Sequence, residues 1–421
     1  MVDLTPQEEA DLAGANGYPV QWAMRLLITL ADACGASELI PISQAHLVGA
    51  YHSGSANIAL LDRLIADGAQ VRVPTSLNSS SADLSTKFMS CHWKQEQAEA
   101  RAVVQRLVQI GCRATLTCSP YFLPTRPSFG DVIAWAESNA VLYANSVLGA
   151  RSLKSPQFFD LACALTGKTL RTGVVCDVGR RPELVIDASG LTNRWFDDEL
   201  GYQLVGYVTG EIAGDRIALI KGLPPTRDEA ALQGFCASAG VSGSMALIHA
   251  EGLTPEASQF GDRLHSLEVH CLSDTIINDT AAKWSLGDGH AIAAVCLGAP
   301  HFGIQQILAL DAILDARGGT VQVPTYVAVS RDLEANPETH RSIQRLKSRG
   351  VSIVHDTCTY YGSLLGKDPG TVATNSVKWA SYGAANLGAR PALMNLANCG
   401  MAAVWGPIPK MAQREPPNAN N

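Results

Sequence analysis

The sequence predicts an internally duplicated α/β protein, in which doubly wound parallel-sheet domains surround a central cleft. Two observations carry this. A set of short motifs occurs twice in the same order: Gly49-Ala50-Tyr51-His52 and Gly298-Ala299-Pro300-His301, Val73-Pro74-Thr75 and Val323-Pro324-Thr325, Thr117-Cys118 and Thr357-Cys358, and finally Leu148-Gly149-Ala150-Arg151 and Leu387-Gly388-Ala389-Arg390. A repeat this long is not a solenoid unit; two such units facing each other bring equivalent loops to one cleft. Short apolar runs also alternate with amphipathic stretches, the pattern of parallel strands covered by helices on both faces.

The elements follow in chain order. Thr5-Pro6-Gln7-Glu8 is a capping box with proline at the first helical position, so a helix starts there. A second helix covers Gln21 to Ala33. Strands are expected at Leu39–Ile42, Val71–Pro74 and Ala114–Thr117, with helices at Ile58–Ala66 and Gln95–Gln109 between them. Gly68, Gly111 and Gly350 fall between a helix and the next strand, where a left-handed residue closes the helix. Trp135 to Ser146 is helical in pattern, and Thr374 to Tyr382 is its repeat mate. The middle section continues the alternation, with strands at Arg216–Ile220, Met245–His249 and Leu267–Leu272. Gly-, Pro- and Asp-rich joints at 222–228 and 286–290 mark boundaries. The expected domains are 1–152, 153–290 and 291–408, followed by a flexible tail at 409–421.

Composition narrows the function. The 421 residues are 47% hydrophobic and 17% charged, as in a globular enzyme, and suffice for two or three domains. The formal net charge is −7 without a long basic run, against nucleic-acid binding. No apolar stretch reaches membrane-spanning length, and the N-terminus reads as a helix start rather than a secretory signal. The 11 cysteines are scattered without a disulfide framework, several in apolar strands (Cys271, Cys296) or helices (Cys34, Cys163). The expected compartment is reducing and cytoplasmic, with most cysteines as small core residues. There is no phosphate-binding glycine loop, so a nucleotide enzyme has little support.

In open α/β sheets, ligands bind beyond the carboxyl ends of strands. Cys118 and Cys358 are expected there, each directly after a threonine. A single cysteine is most often a buried hydrophobe; the same Thr-Cys in both repeats points instead to a site. There is no CxxC pair, which argues against structural zinc and against a zinc hydrolase, whereas thiolates far apart in sequence suit an iron–sulfur cluster or iron with an open position. His52 and His301 occupy equivalent places and are candidate ligands or substrate donors. Lys378, at the expected start of a helix, suits a carboxylate or phosphate.

At this level the chain resembles the aconitase X family, specifically its large, catalytic component. The resemblance runs nearly end to end. It is carried by Leu39-Ile40-Pro41-Ile42 leading to Gly49, Leu77-Asn78, Thr117-Cys118-Ser119-Pro120-Tyr121, the long run Trp135 to Arg151, Asp356-Thr357-Cys358 and Asn375-Ser376-Val377-Lys378. It implies an aconitase-like fold and hydro-lyase chemistry: loss of water from a small hydroxy acid, assisted by an iron–sulfur centre whose iron acts as Lewis acid toward the departing hydroxide. It implies Cys118 and Cys358 as metal ligands. It also implies substrate contacts from Gly49, Ala50, Tyr51, Asn78, Ser79, Glu137, Ser138 and Lys378, with Lys378, Glu137 and Ser138 closest to the chemistry.

Two departures matter. Family members with three cysteine ligands carry Gly-Cys-Pro-His where this chain has Gly298-Ala299-Pro300-His301. Cys296 would have to move to replace the missing thiolate, His301 could substitute for it, or the centre is a smaller cluster, such as [2Fe–2S], or a mononuclear iron. The chain also lacks the small β-rich swivelling domain that supplies a serine base in the family, which implies a small partner subunit. Of the family's two activities, dehydration of cis-3-hydroxy-L-proline to a pyrroline carboxylate is favoured over dehydration of phosphomevalonate. The missing cysteine, Tyr51-His52, and Asn78-Ser79-Ser80-Ser81 in place of an Asn-Pro pattern all point that way. A non-catalytic subunit that kept the fold is the alternative of another class. Its best support is Ala299, and the joint presence of Cys118, Cys358, Glu137 and Lys378 opposes it.

Overall fold

The computed structural model describes residues 2–48, 54–84, 94–287 and 289–406. The expected tail at 409–421 lies outside them, as do Gly49, Ala50, Tyr51 and His52. Helix α1 (Pro6–Ala13) starts at the predicted capping box: Thr5 Oγ1 accepts from the Glu8 amide, and the Glu8 carboxylate accepts from the Thr5 amide. It is followed by α2 (Tyr18–Cys34), β1 (Leu39–Pro41), β2 (Ala45–Leu47), α3 (Ser55–Ala66), β3 (Thr75–Leu77), α4 (Lys94–Gln109), β4 (Ala134–Trp135), α5 (Ser138–Tyr143), α6 (Phe159–Thr166) and β5 (Lys168–Leu170). A parallel sheet runs β3-β2-β4. Strands β1 and β5 form a separate antiparallel pair, so the first expected strand does not join the parallel sheet.

Three expectations in this unit shift for identifiable reasons. The strand expected at Val71–Pro74 pairs instead at Thr75–Leu77; Pro74 has no N–H for a ladder, and its carbonyl accepts from Ala45 as the sheet begins. Ala114–Thr117 makes no strand; a single bridge, Ser76 to Arg113, lies just before it. The Thr115 hydroxyl takes the ladder's place, accepting from the Leu77 amide at 3.1 Å and donating to the Leu77 carbonyl at 2.8 Å, and Leu116 turns away with φ +45°. The helix expected from Trp135 starts at Ser138, because Ala134 and Trp135 are paired with Ala45 and His46.

The middle unit contains β6 (Leu184–Asp187), α7 (Glu199–Ala213), β7 (Ala218–Lys221), α8 (Glu229–Ser242), β8 (Ile248–Ala250), β9 (Glu268–Cys271) and α9 (Asp274–Ala282), with all four strands parallel in the order β8-β7-β6-β9. Helices α7 and α8 pack at unusually close range through Gly206 and Gly210. A Cβ at either would collide with the α8 carbonyls of Phe235 or Ala239. That closeness carries Gln203 and Gln233 to the other units.

The second repeat comprises β10 (Ala294–Phe302), α10 (Ile304–Ala316), β11 (Thr325–Val329), α11 (Arg331–Ala335), α12 (Pro337–Ser348), β12 (Ser352–Val354), α13 (Gly362–Leu365), β13 (Thr371–Thr374), α14 (Val377–Leu387), β14 (Arg390–Leu393) and α15 (Leu396–Trp405). Its five parallel strands run β12-β11-β10-β13-β14. The duplication extends to individual hydrogen bonds. Ala45 N–H to Pro74 O is matched by Val295 N–H to Pro324 O. The bridge of Ser76 to Arg113 is matched by the pairing of Tyr326 with Ser352, and that of Val132 to Arg151 by Thr371 with Arg390. The first sheet is the second with each outer strand reduced to one bridge.

Each repeat has an apolar core, the core of the middle unit is shared with Tyr121, Trp135 and α5 of the first repeat and with Val377 of the second, and a smaller cluster joins Cys118, Cys296, Ala299, Cys358 and Trp379 between the repeats. Among the described cysteines none forms a disulfide; most are buried as expected, but Cys34 and Cys271 are exposed, Cys271 because β9 is an edge strand open to solvent. Among the described residues no helix is long and apolar enough to cross a membrane.

Candidate metal centre and the buried ion pair beside it

Cys118 and Cys358, 240 positions apart in sequence, bring their sulfurs to 3.9 Å. A ring nitrogen of His301, on β10, joins them, all three ligand atoms lying within 4.8 Å of one another. The group is sealed from solvent, with exposures of 1%, 1% and 0%. A disulfide would need sulfurs about 2.05 Å apart. Metal–sulfur bonds of about 2.3 Å in a tetrahedral set place two thiolates about 3.8 Å apart. The spacing, burial and donor types fit a shared metal.

Both repeats and the middle unit hold this group in place. The Ser80 amide donates to Asp356 O at 2.6 Å, tying the first repeat to the loop that carries Cys358. Asp356 adopts φ +68° and is gripped by Arg331, whose Nε donates to Oδ1 at 2.7 Å. The Ser79 hydroxyl lies 3.4 Å from the Cys358 sulfur. Ser119 Oγ and Gln233 Nε2, the latter from α8, each donate to the His301 carbonyl at 3.0 Å. The two sulfurs act as a pair: the hydrogen bond between them favours one thiolate sharing a proton with the other sulfur, against the effect of burial, and raises the loss of the second proton well above the ordinary thiol range. Cys163, Cys236 and Cys296 are raised by burial and behave as apolar core. Cys296 stays within β10 and does not join the ligand group.

Beside the sulfurs lies an ion pair between the repeats. Lys378 Nζ donates to Glu137 Oε1 at 2.7 Å, with both side chains buried. Burial alone would favour neutral lysine; the Glu137 carboxylate overcomes it and holds the ammonium charged. Glu137 caps α5, its Oε2 accepting from the Ala140 amide at 2.8 Å and from Asn139 Nδ2 at 2.7 Å. Asn139 Nδ2 also donates to the Cys118 carbonyl at 2.7 Å, while its Oδ1 accepts from Tyr121 OH at 2.7 Å. One chain of hydrogen bonds therefore links the Lys378 ammonium to the backbone of a candidate ligand. On the other side, Gln203 of α7 accepts from the Val377 amide at 3.0 Å and donates to Asn375 O at 2.8 Å, fixing the start of α14.

Of the other predicted residues, Asn78 and Ser79 are buried at the end of β3, and Ser138 is half-buried. Among the described residues, His301 Nδ1, Asn78 Oδ1, Ser80 Oγ and Thr357 Oγ1 are buried without a partner. Orphaned polar atoms are scarce in native folds, and several gathered at one place mark a ligand's position. Ser138 opens on a cavity of about 630 Å³ lined also by Lys154, Asp215, Gly240 and Tyr382. Lys154 is a cation near Glu137 that sequence reasoning missed; it stands in no motif and only the fold brings it there. Asn139 lay within the specific Trp135–Arg151 run, and the Glu137-Ser138-Asn139 cap is the signal that could have found it.

Three family models match consecutive parts of the chain: aconitase X first domain over residues 1–178, second domain over 182–280 and third domain over 292–405. The cis-3-hydroxy-L-proline dehydratases of Hypocrea jecorina and Pseudomonas aeruginosa are each 33% identical over 96% of this chain, which spans 69% and 70% of their lengths. The phosphomevalonate dehydratase large subunit of Thermococcus kodakarensis is 32% identical over 90% of this chain and 94% of its own. The crystal structure of Thermococcus kodakaraensis aconitase X in its holo-form superimposes with a TM-score of 0.85 at 29% identity, covering 96% of this chain and all of that one.

Proposed function

The chain belongs to the aconitase X family of dehydratases, and on that premise we propose that it dehydrates cis-3-hydroxy-L-proline with an iron or iron–sulfur centre held by Cys118 and Cys358. The observation that carries this reading is the sealed meeting of two sulfurs and an imidazole beside a charged lysine, the sulfurs and the lysine on residues that the resemblance selected. When bound there, iron supplies a Lewis acid for the leaving β-hydroxyl.

The chain's own residues supply the remaining requirements. Lys378 has donors left over after its bond to Glu137, and its ammonium is placed to hold the substrate carboxylate. That charge lowers the cost of the negative charge that grows on the carboxylate as the α-proton leaves. Glu137 keeps Lys378 charged and oriented in a dry site. Asn78 and Ser79 offer polar contacts at the end of β3. The base is a serine on a small partner polypeptide; the support for a partner is the likeness to large subunits, which this chain spans over more than nine-tenths of their length.

A second reading, the large subunit of a phosphomevalonate dehydratase, has comparable sequence support. The described site favours the smaller amino acid. Lys378, with the donors left after its bond to Glu137, can hold one carboxylate, and among the described residues Lys154 is the only cation lining the cavity beside Ser138. The test is anaerobic purification with the small partner, iron and sulfide analysis, and assay on both substrates. Turnover of cis-3-hydroxy-L-proline with iron present is the expected result. Turnover of phosphomevalonate alone would replace this reading with the second, and turnover without iron would remove the metal from it.

A further inference from the structure

We propose that His301 is the third protein donor of the metal centre, binding through Nδ1 in place of the thiolate that Ala299 cannot supply. This rests on the metal reading above and specifies its chemistry.

His301 has four polar groups, and three are committed. Its amide donates to the Cys118 sulfur at 3.3 Å. Its carbonyl accepts from Ser119 and Gln233. Its ring Nε2 lies 3.0 Å from the Thr357 carbonyl. A carbonyl only accepts, so Nε2 carries the hydrogen. In the neutral ring this leaves Nδ1 with a bare lone pair. That atom is fully buried and, among the described residues, makes no hydrogen bond of good geometry; the side chain the ring interacts with is that of Cys358, one of the two sulfurs. An imidazole whose far nitrogen donates to a backbone carbonyl is the usual arrangement of a metal-bound histidine, because the bond fixes the tautomer and the ring's direction.

An orphan ring nitrogen does not suffice by itself. His249 shows the same pattern, with Nε2 bonded to the Arg180 carbonyl at 2.7 Å and Nδ1 unpartnered. What separates the two is their surroundings: His301 shares its space with two cysteine sulfurs, whereas His249 belongs to no such group among the described residues. Position supports the assignment further. His301 is two residues from Ala299, so the stretch of β10 that lacks the cysteine supplies the imidazole. Cys296, the other candidate replacement, lies on the same strand outside the group.

The donor set is then two thiolates and a neutral imidazole, one negative charge fewer than three thiolates. Replacing thiolate by imidazole raises the reduction potential of an iron centre.

The test uses pulsed electron paramagnetic resonance on the iron-loaded protein in its paramagnetic oxidation state, comparing natural-abundance protein with protein carrying 15N-histidine. The expected result is a nitrogen coupling that changes with the label, persists in His52→Ala and is lost in His301→Cys. That variant should keep its iron and show a lower reduction potential. The labelled wild type needs no substitution, so a folding defect in the variant leaves the central measurement intact. Full iron occupancy with no histidine coupling, or a coupling lost in His52→Ala instead, overturns the assignment and leaves the Cys118–Cys358 centre standing. Wild-type protein that holds no iron, tested with cobalt(II) as an alternative ion, overturns the metal reading itself.

Discussion

Strand β10 of the second repeat and its counterpart β2 are each paired on both sides, but β10 runs for nine residues and β2 stops after three. The registers explain the difference. Leu47 pairs with Leu77 as Leu297 pairs with Val327. After Leu297 comes Gly298 directly; after Leu47 one further residue, Val48, precedes Gly49. The ladder cannot absorb Val48, and its amide is taken by the carboxylate of Asp160 at 2.7 Å. The helix starts diverge similarly. Glu137 caps α5 where Ser376 caps α14, and two residues on Asn139 stands where Lys378 stands. The duplicated scaffold supplies the matching sulfurs, and the divergence between its copies supplies the charge pair. Glu137 and Lys378 come from non-equivalent positions, so a symmetric protein could not have made this ion pair once only.

The matching half of the comparison is broken by removing one sulfur. Cys358→Ser should lose the metal centre, with iron content collapsing and activity falling by more than the roughly 10–100-fold that loss of a ligand's hydrogen-bond partner costs. Cys118→Ser should do the same. If either variant keeps full iron and activity, the two positions are not equivalent ligands and the duplication has no bearing on the metal.

The divergent half is broken at Lys378. Removing one member of a buried ion pair strands the other and costs about 3–5 kcal/mol. Lys378→Met should therefore lose stability on that scale, and kcat/KM should fall one to two powers of ten, as expected for a lost charge-assisted hydrogen bond of about 1.5–3 kcal/mol. Iron content should stay unchanged. The double variant Glu137→Gln with Lys378→Met should recover much of the stability and none of the activity. Recovery of both would make the pair a structural strut.

How much of this was legible before the structure depended on distance along the chain. The Thr5–Glu8 capping box and the left-handed glycines, at φ +79°, +106° and +92° for Gly68, Gly111 and Gly350, are local and were readable. So was the pairing of Thr-Cys motifs, because duplication writes a long-range relation into the sequence as a repeat. Thr115 replacing a ladder with its hydroxyl was not legible, since nothing local distinguishes it from a strand threonine. The Glu137–Lys378 bond was not legible either. Both residues could be selected, but they stand at positions the repeat does not equate. Gln233 and Lys154 carry no motif, and only packing delivers them.

Asp160 sharpens the comparison at the Val48 insertion. Burial raises its carboxyl to about 6, despite amide donors from Val48 and Leu161 that favour the charge. The folded-state value lies above the unfolded one, so this group's contribution to stability is fully present below about pH 4 and is lost as pH rises to about 6, then stays flat. A shift of this size corresponds to about 2–3 kcal/mol. Asp160→Asn keeps an acceptor for the Val48 amide and removes the titration. The stability difference between wild type and variant, from denaturant unfolding, should change across pH 4–6 and be level from pH 6.5 to 8. A difference that is level throughout would show that the carboxylate is solvated in the folded protein.

The smallest effect is expected at Ser376, the second repeat's answer to Glu137. Its hydroxyl accepts from the Trp379 amide at 3.0 Å and donates to the Ala299 carbonyl, but it holds no charge. Ser376→Ala should therefore cost what an N-cap is worth, about 1 kcal/mol. Iron content should be unchanged and kcat/KM should stay within about twofold of wild type. Glu137→Ala removes a cap of the same rank and also leaves the Lys378 ammonium buried and unpaired, which moves its cost toward the roughly 3–5 kcal/mol of a broken buried pair. The gap between the two alanine variants measures what the first repeat gained when its cap became a carboxylate. If the two cost the same, the Lys378 charge finds other compensation in the folded protein, and the asymmetry of the repeats would lie in Asn139 and Lys378 alone.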